Sequence, residues 1–241
     1  MLNHFLLQVT LGNNPVHPSA DGQTSVVVTE KTLSIWELIS SGGIGGNIIM
    51  ISLLVLSIIA VYIIIERFLA IKKASKEDTN FMNQIKDFIL DGKIDAAKSL
   101  CKMNQTPISK MVEKGISRIG KPLSDIGTAV ETTGKLELNK LERNLSTLAT
   151  ISGAAPMIGF LGTVIGMIMV FHKMASAGGN IDVEMLSQGI YTAMITTVAG
   201  LIVGIIAYIA YNFLVARVEK IVFVMEARTT EFLDILHEPA A

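Results

Sequence analysis

The sequence predicts an all-α, polytopic membrane protein with three transmembrane helices. Half of its 241 residues are hydrophobic, only 17% are charged, and the mean hydropathy is +0.52, which is too apolar for an ordinary water-soluble domain. Three apolar runs are each long enough to cross a hydrocarbon core of about 30 Å as a helix. The predicted spans are residues 48–66, 149–173 and 186–216.

The chain begins with an N-terminal segment, residues 1–47, that contains one predicted element. Residues 1–23 lack the basic start and long apolar core of a secretory signal. Residues 33–39 have apolar positions at helical spacing and include Trp36, which indicates a short amphipathic helix at the membrane interface. The glycines between Gly42 and Gly46 then separate this helix from the first span.

The distribution of lysine and arginine predicts the topology. Residues 1–47 contain one basic residue, whereas fifteen of the twenty lie between Arg67 and Arg143. The loop at 174–185 contains none, and Arg217, Lys220 and Arg228 follow the third span. Because basic residues are retained on the cytoplasmic side, we expect the N-terminus and this loop outside, and residues 67–148 and 217–241 inside.

The cytoplasmic region, residues 67–148, is predicted to be helical in pieces. Helices at 81–90, 94–103 and 108–119 are separated by glycine or proline positions. From Leu123 the helical pattern is uninterrupted, so the second span is expected to extend below the membrane as the same helix. The third span is expected to do likewise. Their apolar stripes need other helices to cover them, which favours self-association.

Small residues replace large ones at several positions of the second and third spans. Neither span carries Asp, Glu, Lys or Arg between its ends. The predicted packing residues are Gly159, Gly162, Gly166, Gly200 and Gly204, which include two GxxxG pairs. Glycines at this spacing let helix backbones approach closely in lipid, so the hairpin is built for close helix packing.

Four threonines in these spans are the candidate ion-pathway residues: Thr163, Thr192, Thr196 and Thr197. Each hydroxyl could instead bond to a carbonyl of its own helix, as is common for an intrahelical threonine. If about five copies surrounded an axis, Thr163 and Thr197 would form polar rings able to hold water or a small cation. Hydroxyls do not exchange protons near neutral pH, so a titratable group would come from another chain.

Glu66 and Arg67, at the inner end of the first span, are predicted to form a membrane-boundary charge pair. His172 and Lys173 end the second span, where a snorkelling cap is expected and a gating histidine is the alternative.

No enzyme, metal or cofactor site is predicted. The four histidines are scattered, and the single cysteine, Cys101, reads as a small apolar residue of a helical region. Residues 115–121 match the start of a phosphate-binding loop, but Pro122 stands where a Ser or Thr is needed.

Several motifs resemble the MotA/TolQ/ExbB proton-channel family, most closely its ExbB branch. The resemblance runs from about Trp36 to the C-terminus. Its motifs are Ile64–Phe68, Gly92–Ala97, Ala155–Gly166, Gly189–Leu201 and Tyr211-Asn212. The second-span and third-span motifs, in this order and topology, are the most specific.

This resemblance implies a homopentamer of three-span subunits in the bacterial inner membrane, with the N-terminus periplasmic and the C-terminus cytoplasmic. The pentamer would surround a dimer of an ExbD-like single-span protein whose membrane aspartate carries the proton. A TonB-like protein would then use the proton motive force to energise outer-membrane import. The family's pore threonines correspond to Thr163 and Thr197, and Thr192 stands where many members have a glutamate.

Other assignments stay open within this resemblance. The chain could be a TolQ-like or gliding-type stator subunit, or a non-conducting pentameric scaffold, and the ion could be H⁺ or Na⁺. Membrane lipids are expected partners and nucleic acid is not.

Overall fold

The computed structural model describes residues 43–76, 80–176 and 183–237. Within these ranges the chain forms seven α-helices, which confirms the all-α prediction. They are α1 (Gly43–Ala74), α2 (Phe81–Leu90), α3 (Ile94–Met103), α4 (Pro107–Ile116), α5 (Leu123–Glu142), α6 (Leu145–Ser176) and α7 (Val183–His237). The predicted amphipathic helix at 33–39 and the middle of the loop at 174–185 lie outside the described residues.

Three of these helices, α1, α6 and α7, are long and apolar enough to cross a membrane. They contain the predicted spans 48–66, 149–173 and 186–216 respectively. At 1.5 Å per residue, the 32 residues of α1 and of α6 each extend about 48 Å, and the 55 residues of α7 about 80 Å. Each helix is therefore longer than the hydrocarbon core that it would cross.

The short helices α2 to α5 begin and end where local backbone chemistry requires it. Gly92, with φ +73°, ends α2, and the next N–H donates to the Phe88 carbonyl at 2.8 Å. Thr106 caps α4 by accepting from the Ser109 N–H at 3.2 Å, with a proline at the first helical position. The predictions at 81–90 and 94–103 are confirmed, and the third helix, α4, ends three residues before the predicted 119.

The expected continuous helix from Leu123 through the second span is wrong, because it is divided at Arg143 and Asn144. Asn144 adopts a left-handed backbone with φ 64°, which Asn tolerates better than other non-glycine residues. The structure therefore places α5 as a separate helix, and α6 begins only four residues before the predicted span.

The apolar stripes outside the predicted spans are covered within the same chain, so the argument from them for self-association does not hold. Val218, Ile221, Met225 and Phe232 of α7 are buried in a core that helices α2 to α5 share. Gly115 and Gly134 make room in this core, because a methyl group on either would meet the side chain of Phe232 or Met111. Helices α2, α4 and α5 thus fold back onto α7, and α3 packs against α2 and α4.

Helix α1 packs along one side of the α6–α7 hairpin. Ile49 and Leu53 of α1 are buried with Ala155 of α6, and Ala199 of α7 packs against them. Near the start of α1, a methyl group on Gly45 would lie 3.2 Å from the Ile165 side chain. These contacts give the hairpin one flank that faces α1 and an opposite flank that does not.

Candidate functional site

The candidate site is the interface between α6 and α7, where glycines bring the two backbones into contact. A methyl group on Gly200 would lie 2.6 Å from the carbonyl oxygen of Ala155 and 2.9 Å from the Cα of Gly159. On Gly166 it would lie 2.9 Å from the Ala193 Cβ, and on Gly204 2.5 Å from the Pro156 ring. All five predicted packing glycines, including Gly162, face the other helix of the same hairpin. We call this contact the glycine interface.

Two threonine hydroxyls converge on one carbonyl in the glycine interface. Thr197 donates to the Gly159 carbonyl at 3.1 Å, and Thr196 reaches the same oxygen at 3.3 Å while also donating to Ala193 at 2.7 Å. The close approach at Gly159 is what brings this carbonyl within reach of α7. Two side-chain hydroxyls thereby join α6 to α7 across the glycine interface.

The structure separates the four candidate threonines instead of grouping them. Thr196 is only 2% exposed and sealed between α6 and α7, so it packs and cannot contact a lumen unless the helices part. Thr192 lies near α1, since a methyl group on Gly46 would be 3.7 Å from its Cγ2. Thr192 is also seven residues, about two helical turns, before Ala199, which packs on α1.

Thr163 and Thr197 share the opposite flank of the hairpin. Ile165 and Ala199 pack towards α1. Thr163 lies two residues before Ile165, and Thr197 lies two residues before Ala199. Two residues correspond to about 200° of helix rotation, so each threonine points away from α1. Both are half-buried. The Thr163 hydroxyl donates to the Phe160 carbonyl at 2.6 Å, which leaves its oxygen lone pairs available as acceptors. These two are the threonines that can face an axis on the side away from α1.

Glu66 and Arg67 form the predicted charge pair and also connect α1 to the break between α5 and α6. The Arg67 guanidinium, on a residue 6% exposed, hydrogen-bonds Glu66 and donates to the Lys140 carbonyl at 2.8 Å. Asn144 donates to the second Glu66 oxygen at 3.4 Å. The pair therefore satisfies one of the last carbonyls of α5 and contacts Asn144, where the chain turns into α6.

A second charged cluster joins α4 to α5. Glu137 is almost buried and accepts from Lys110 at 2.8 Å and from Lys140 at 2.5 Å. Burial alone would raise the pKa of Glu137, but the two lysine ammonium groups outweigh it and hold this pKa below the ordinary 4.5.

The structure also places Cys101 and His172, which the sequence singled out. Cys101 is buried in the core of α3, and burial, with the nearby Glu113, raises the pKa of its thiol to about 12, so it stays protonated. His172 is exposed at the end of α6.

Sequence reasoning missed the partners of the charged residues. Lys140 and Asn144 stand more than seventy positions from Arg67 and Glu66, and Lys110 stands 27 positions from Glu137. The one local signal was Asn144 itself, an asparagine in a leucine-rich helical pattern, since Asn is common where a helix ends in the left-handed conformation.

Residues 103–227, a little over half of the chain, match the MotA/TolQ/ExbB proton channel family. The chain belongs to this family. The matched segment runs from the end of α3 into α7, so it includes the glycine interface and the candidate threonines. With its three apolar helices, this family member is a membrane protein.

Individual relatives carry ExbB and TolQ names. The chain is 36% identical over 115 residues to the putative biopolymer transport protein ExbB homolog of Methanothermobacter thermautotrophicus, a match covering 48% of this chain and 40% of that protein. It is 28% identical over 220 residues to the Tol-Pal system protein TolQ of Pseudomonas aeruginosa, covering 85% and 93% respectively. The biopolymer transport protein ExbB of Aquifex aeolicus is 36% identical over 104 residues, covering 43% and 70%.

Proposed function

We propose that this chain is an ExbB-like subunit of a motor driven by the proton motive force in the bacterial inner membrane. Five copies would assemble around the single membrane helices of an ExbD-like dimer, and a TonB-like protein would deliver the work to outer-membrane import. In this arrangement residues 67–148 and the C-terminus lie in the cytoplasm and the N-terminus in the periplasm, as the placement of Lys and Arg favours.

The observation that carries this proposal is the shared flank of Thr163 and Thr197. A hairpin fixed by the glycine interface, with α1 on one side, can present only its other side to a central axis. That side carries two hydroxyls, and no acid or base lies between 149 and 171 or between 186 and 216. Hydroxyls can hold water but do not ionise near neutral pH, so the partner's aspartate would supply the titratable group that carries the proton. Thr192, on the flank towards α1, need not take part.

Proton flux into liposomes, with and without the co-purified single-span partner, tests this proposal. We expect flux only with the partner. Thr163→Val and Thr197→Val should each lower the flux about tenfold, the effect of losing a contact of about 1.4 kcal/mol at the barrier. Thr192→Val, on the same helix as Thr197 but on the other flank, is the matched control and should conduct normally.

The outcomes separate the proposal from its alternatives. Flux without the partner would mean that this chain carries the proton, against the borrowed-acid mechanism. Normal flux in both Thr163→Val and Thr197→Val would overturn the assignment of these hydroxyls. No flux under any condition from an assembled complex would favour a non-conducting scaffold. Native mass spectrometry should give five copies, and a stable dimer or tetramer would contradict the central pore.

A TolQ-like role is the second candidate, and one observation favours it. The match to the Tol-Pal system protein TolQ extends over 93% of that protein, whereas the ExbB matches described above cover 40% and 70%. Purifying the chain from its own cells and identifying the single-span protein that accompanies it would distinguish the two roles.

A further inference from the structure

A basic groove lies where α1 and α7 leave the predicted membrane spans. Its volume is about 330 Å³, within the range of roughly 300–1,000 Å³ that small-ligand sites occupy. Lys72 of α1 faces Arg217 and Lys220 of α7 across it, and Ser75 adds a hydroxyl. The groove brings together three cations from two helices that are about 145 positions apart in the sequence.

The three cations have no acidic partner among the residues that the structure describes. In the part of the chain that the structure describes, none of Lys72, Arg217 and Lys220 forms an ion pair. Arg217 and Lys220 are three residues apart on one helix, a spacing at which like charges repel. Arg217 is held instead over the Phe213 ring, with its guanidinium 5.0 Å from the ring centre. An anion in the groove would remove this repulsion.

The remaining lining of the groove is apolar. Ile71, Leu214 and Ile221 form its buried base, and Phe68, which is 45% exposed, stands at its membrane side. Phe68 follows the predicted first span by two residues, and Leu214 is within the last turn of the predicted third span. The basic rim and the apolar wall therefore meet at the depth where lipid headgroups meet acyl chains.

We propose that this groove binds an anionic phospholipid. Lys72, Arg217 and Lys220 hold the phosphate and neutralise its charge, and Phe68 packs against the first carbons of an acyl chain. A free phosphate ion would use the same cations but would gain nothing from Phe68. The lipid would join α1 to α7 at the end of the spans, independently of any proton pathway.

Lipid binding to the full-length protein in mild detergent tests this proposal. The probes are short-chain phosphatidylglycerol, short-chain phosphatidylcholine and inorganic phosphate, and native mass spectrometry gives the dissociation constants. The double variant K72Q/K220Q removes two groove cations, and K73Q/K76Q removes two neighbouring cations outside the groove. All four lysines are exposed, so both variants should fold, and a thermal melt checks this.

We expect phosphatidylglycerol to bind more tightly than phosphatidylcholine. Each cation near a membrane surface is worth about fivefold in affinity, so K72Q/K220Q should bind phosphatidylglycerol roughly 25-fold more weakly. The control K73Q/K76Q should stay within about twofold of the unchanged protein. Phe68→Ser should weaken lipid binding and leave phosphate binding as it was.

Three results would overturn the proposal. Equal weakening in the two double variants would show attraction to the basic surface in general. Unchanged lipid affinity in K72Q/K220Q would show that the groove is not the site. Inorganic phosphate binding as tightly as phosphatidylglycerol, with no effect of Phe68→Ser, would identify a phosphate site instead of a lipid site. None of these readouts depends on proton flux, so the proposed motor function stands or fails separately.

Discussion

Helix α7 is packed in two different ways along its length. In the span, Gly200 and Gly204 bring it against α6 at backbone distance, and threonine hydroxyls bond across the contact. Below the span, large side chains such as Phe232 and Met225 fill a core shared with α2 to α5. One continuous helix therefore passes from a contact made of small residues to a contact made of large ones.

The difference follows from the surroundings of each half. In lipid, apolar side chains gain little by leaving the acyl chains, so helices associate through close van der Waals contact and hydrogen bonds, which small residues allow. In water, each Å² of buried apolar surface is worth about 25 cal/mol, so large side chains stabilise the core. Substitutions that add atoms should accordingly destabilise the span by overpacking, and substitutions that remove atoms should destabilise the region below it by leaving cavities.

The largest loss of stability is expected for Phe232→Ala. Phe232 is fully buried, and removing its ring leaves a cavity between α7 and the short helices, which costs about 3–5 kcal/mol. Phe223→Ala, on the same helix but at a residue 72% exposed, should change stability by less than about 0.5 kcal/mol. Denaturation of both variants in detergent measures this difference, and equal losses would contradict the assigned core.

In the span, Gly200→Ala should cost about 3 kcal/mol by overpacking. The added methyl group has backbone on two sides, the Ala155 carbonyl and the Gly159 Cα, so no side chain can yield to it. Gly153→Ala is the matched control, because nothing lies within 4 Å of its new methyl group. It should be neutral or slightly stabilising. A melting temperature unchanged in Gly200→Ala would mean that α6 and α7 are not in backbone contact.

An intermediate effect, dependent on pH, is expected at Glu137. Its pKa is lowered in the fold, so its carboxylate stabilises the protein above the ordinary pKa of 4.5, and this stability is lost as pH falls through the lowered value. Glu137→Gln should lose about 1.5 kcal/mol near pH 7 and show a flatter stability in acid. Denaturation between pH 7 and pH 3 tests this. A variant that loses stability in acid as steeply as the unchanged protein would exclude Glu137 as a source of the dependence.

The smallest effect is expected for Thr196→Val. This substitution keeps the shape of the side chain, and Thr197 still donates to the Gly159 carbonyl. The free energy of unfolding should therefore fall by about 0.6 kcal/mol. The pair Thr196→Val and Thr197→Val together leaves that carbonyl without either donor and should cost more than the sum of the two single changes. Strict additivity in this double-mutant cycle would show that the two hydroxyls do not share an acceptor.

The sequence was sufficient where the controlling signal is local. Composition and run length locate the three apolar helices, because a span needs about twenty apolar residues whatever surrounds it. Asp91-Gly92 and Thr106-Pro107 mark helix ends at 90 and 107 because glycine and proline act on their own backbone. The five glycines predicted to pack lie at the contact between α6 and α7, whereas Gly153, which has the same local character, has nothing within 4 Å of its added methyl group.

Other features depend on which segments of the chain contact one another, and local sequence patterns do not contain this information. The leucine spacing from Leu138 to Leu148 continues across Asn144, so periodicity alone hides the break. The apolar stripe of α7 was expected to pack against other copies of the chain, because nothing in the pattern shows that α2, α4 and α5 fold back onto it. The sequence suggests that the four threonines form one group. The position of α1 shows that Thr192 lies on the flank towards α1, Thr163 and Thr197 lie on the opposite flank, and Thr196 lies in the interior.

The helical path is broken at Asn144 between α5 and α6, whereas α7 has no break. This difference has a mechanical consequence. Helices α5 and α6 are separated by a turn, whereas α7 is one continuous helix about 80 Å long. A tilt of about 5° at its membrane end, with that end fixed, displaces the far end by about 7 Å. A small rotation of α7 within its span would therefore displace its far end, which is packed against the short helices.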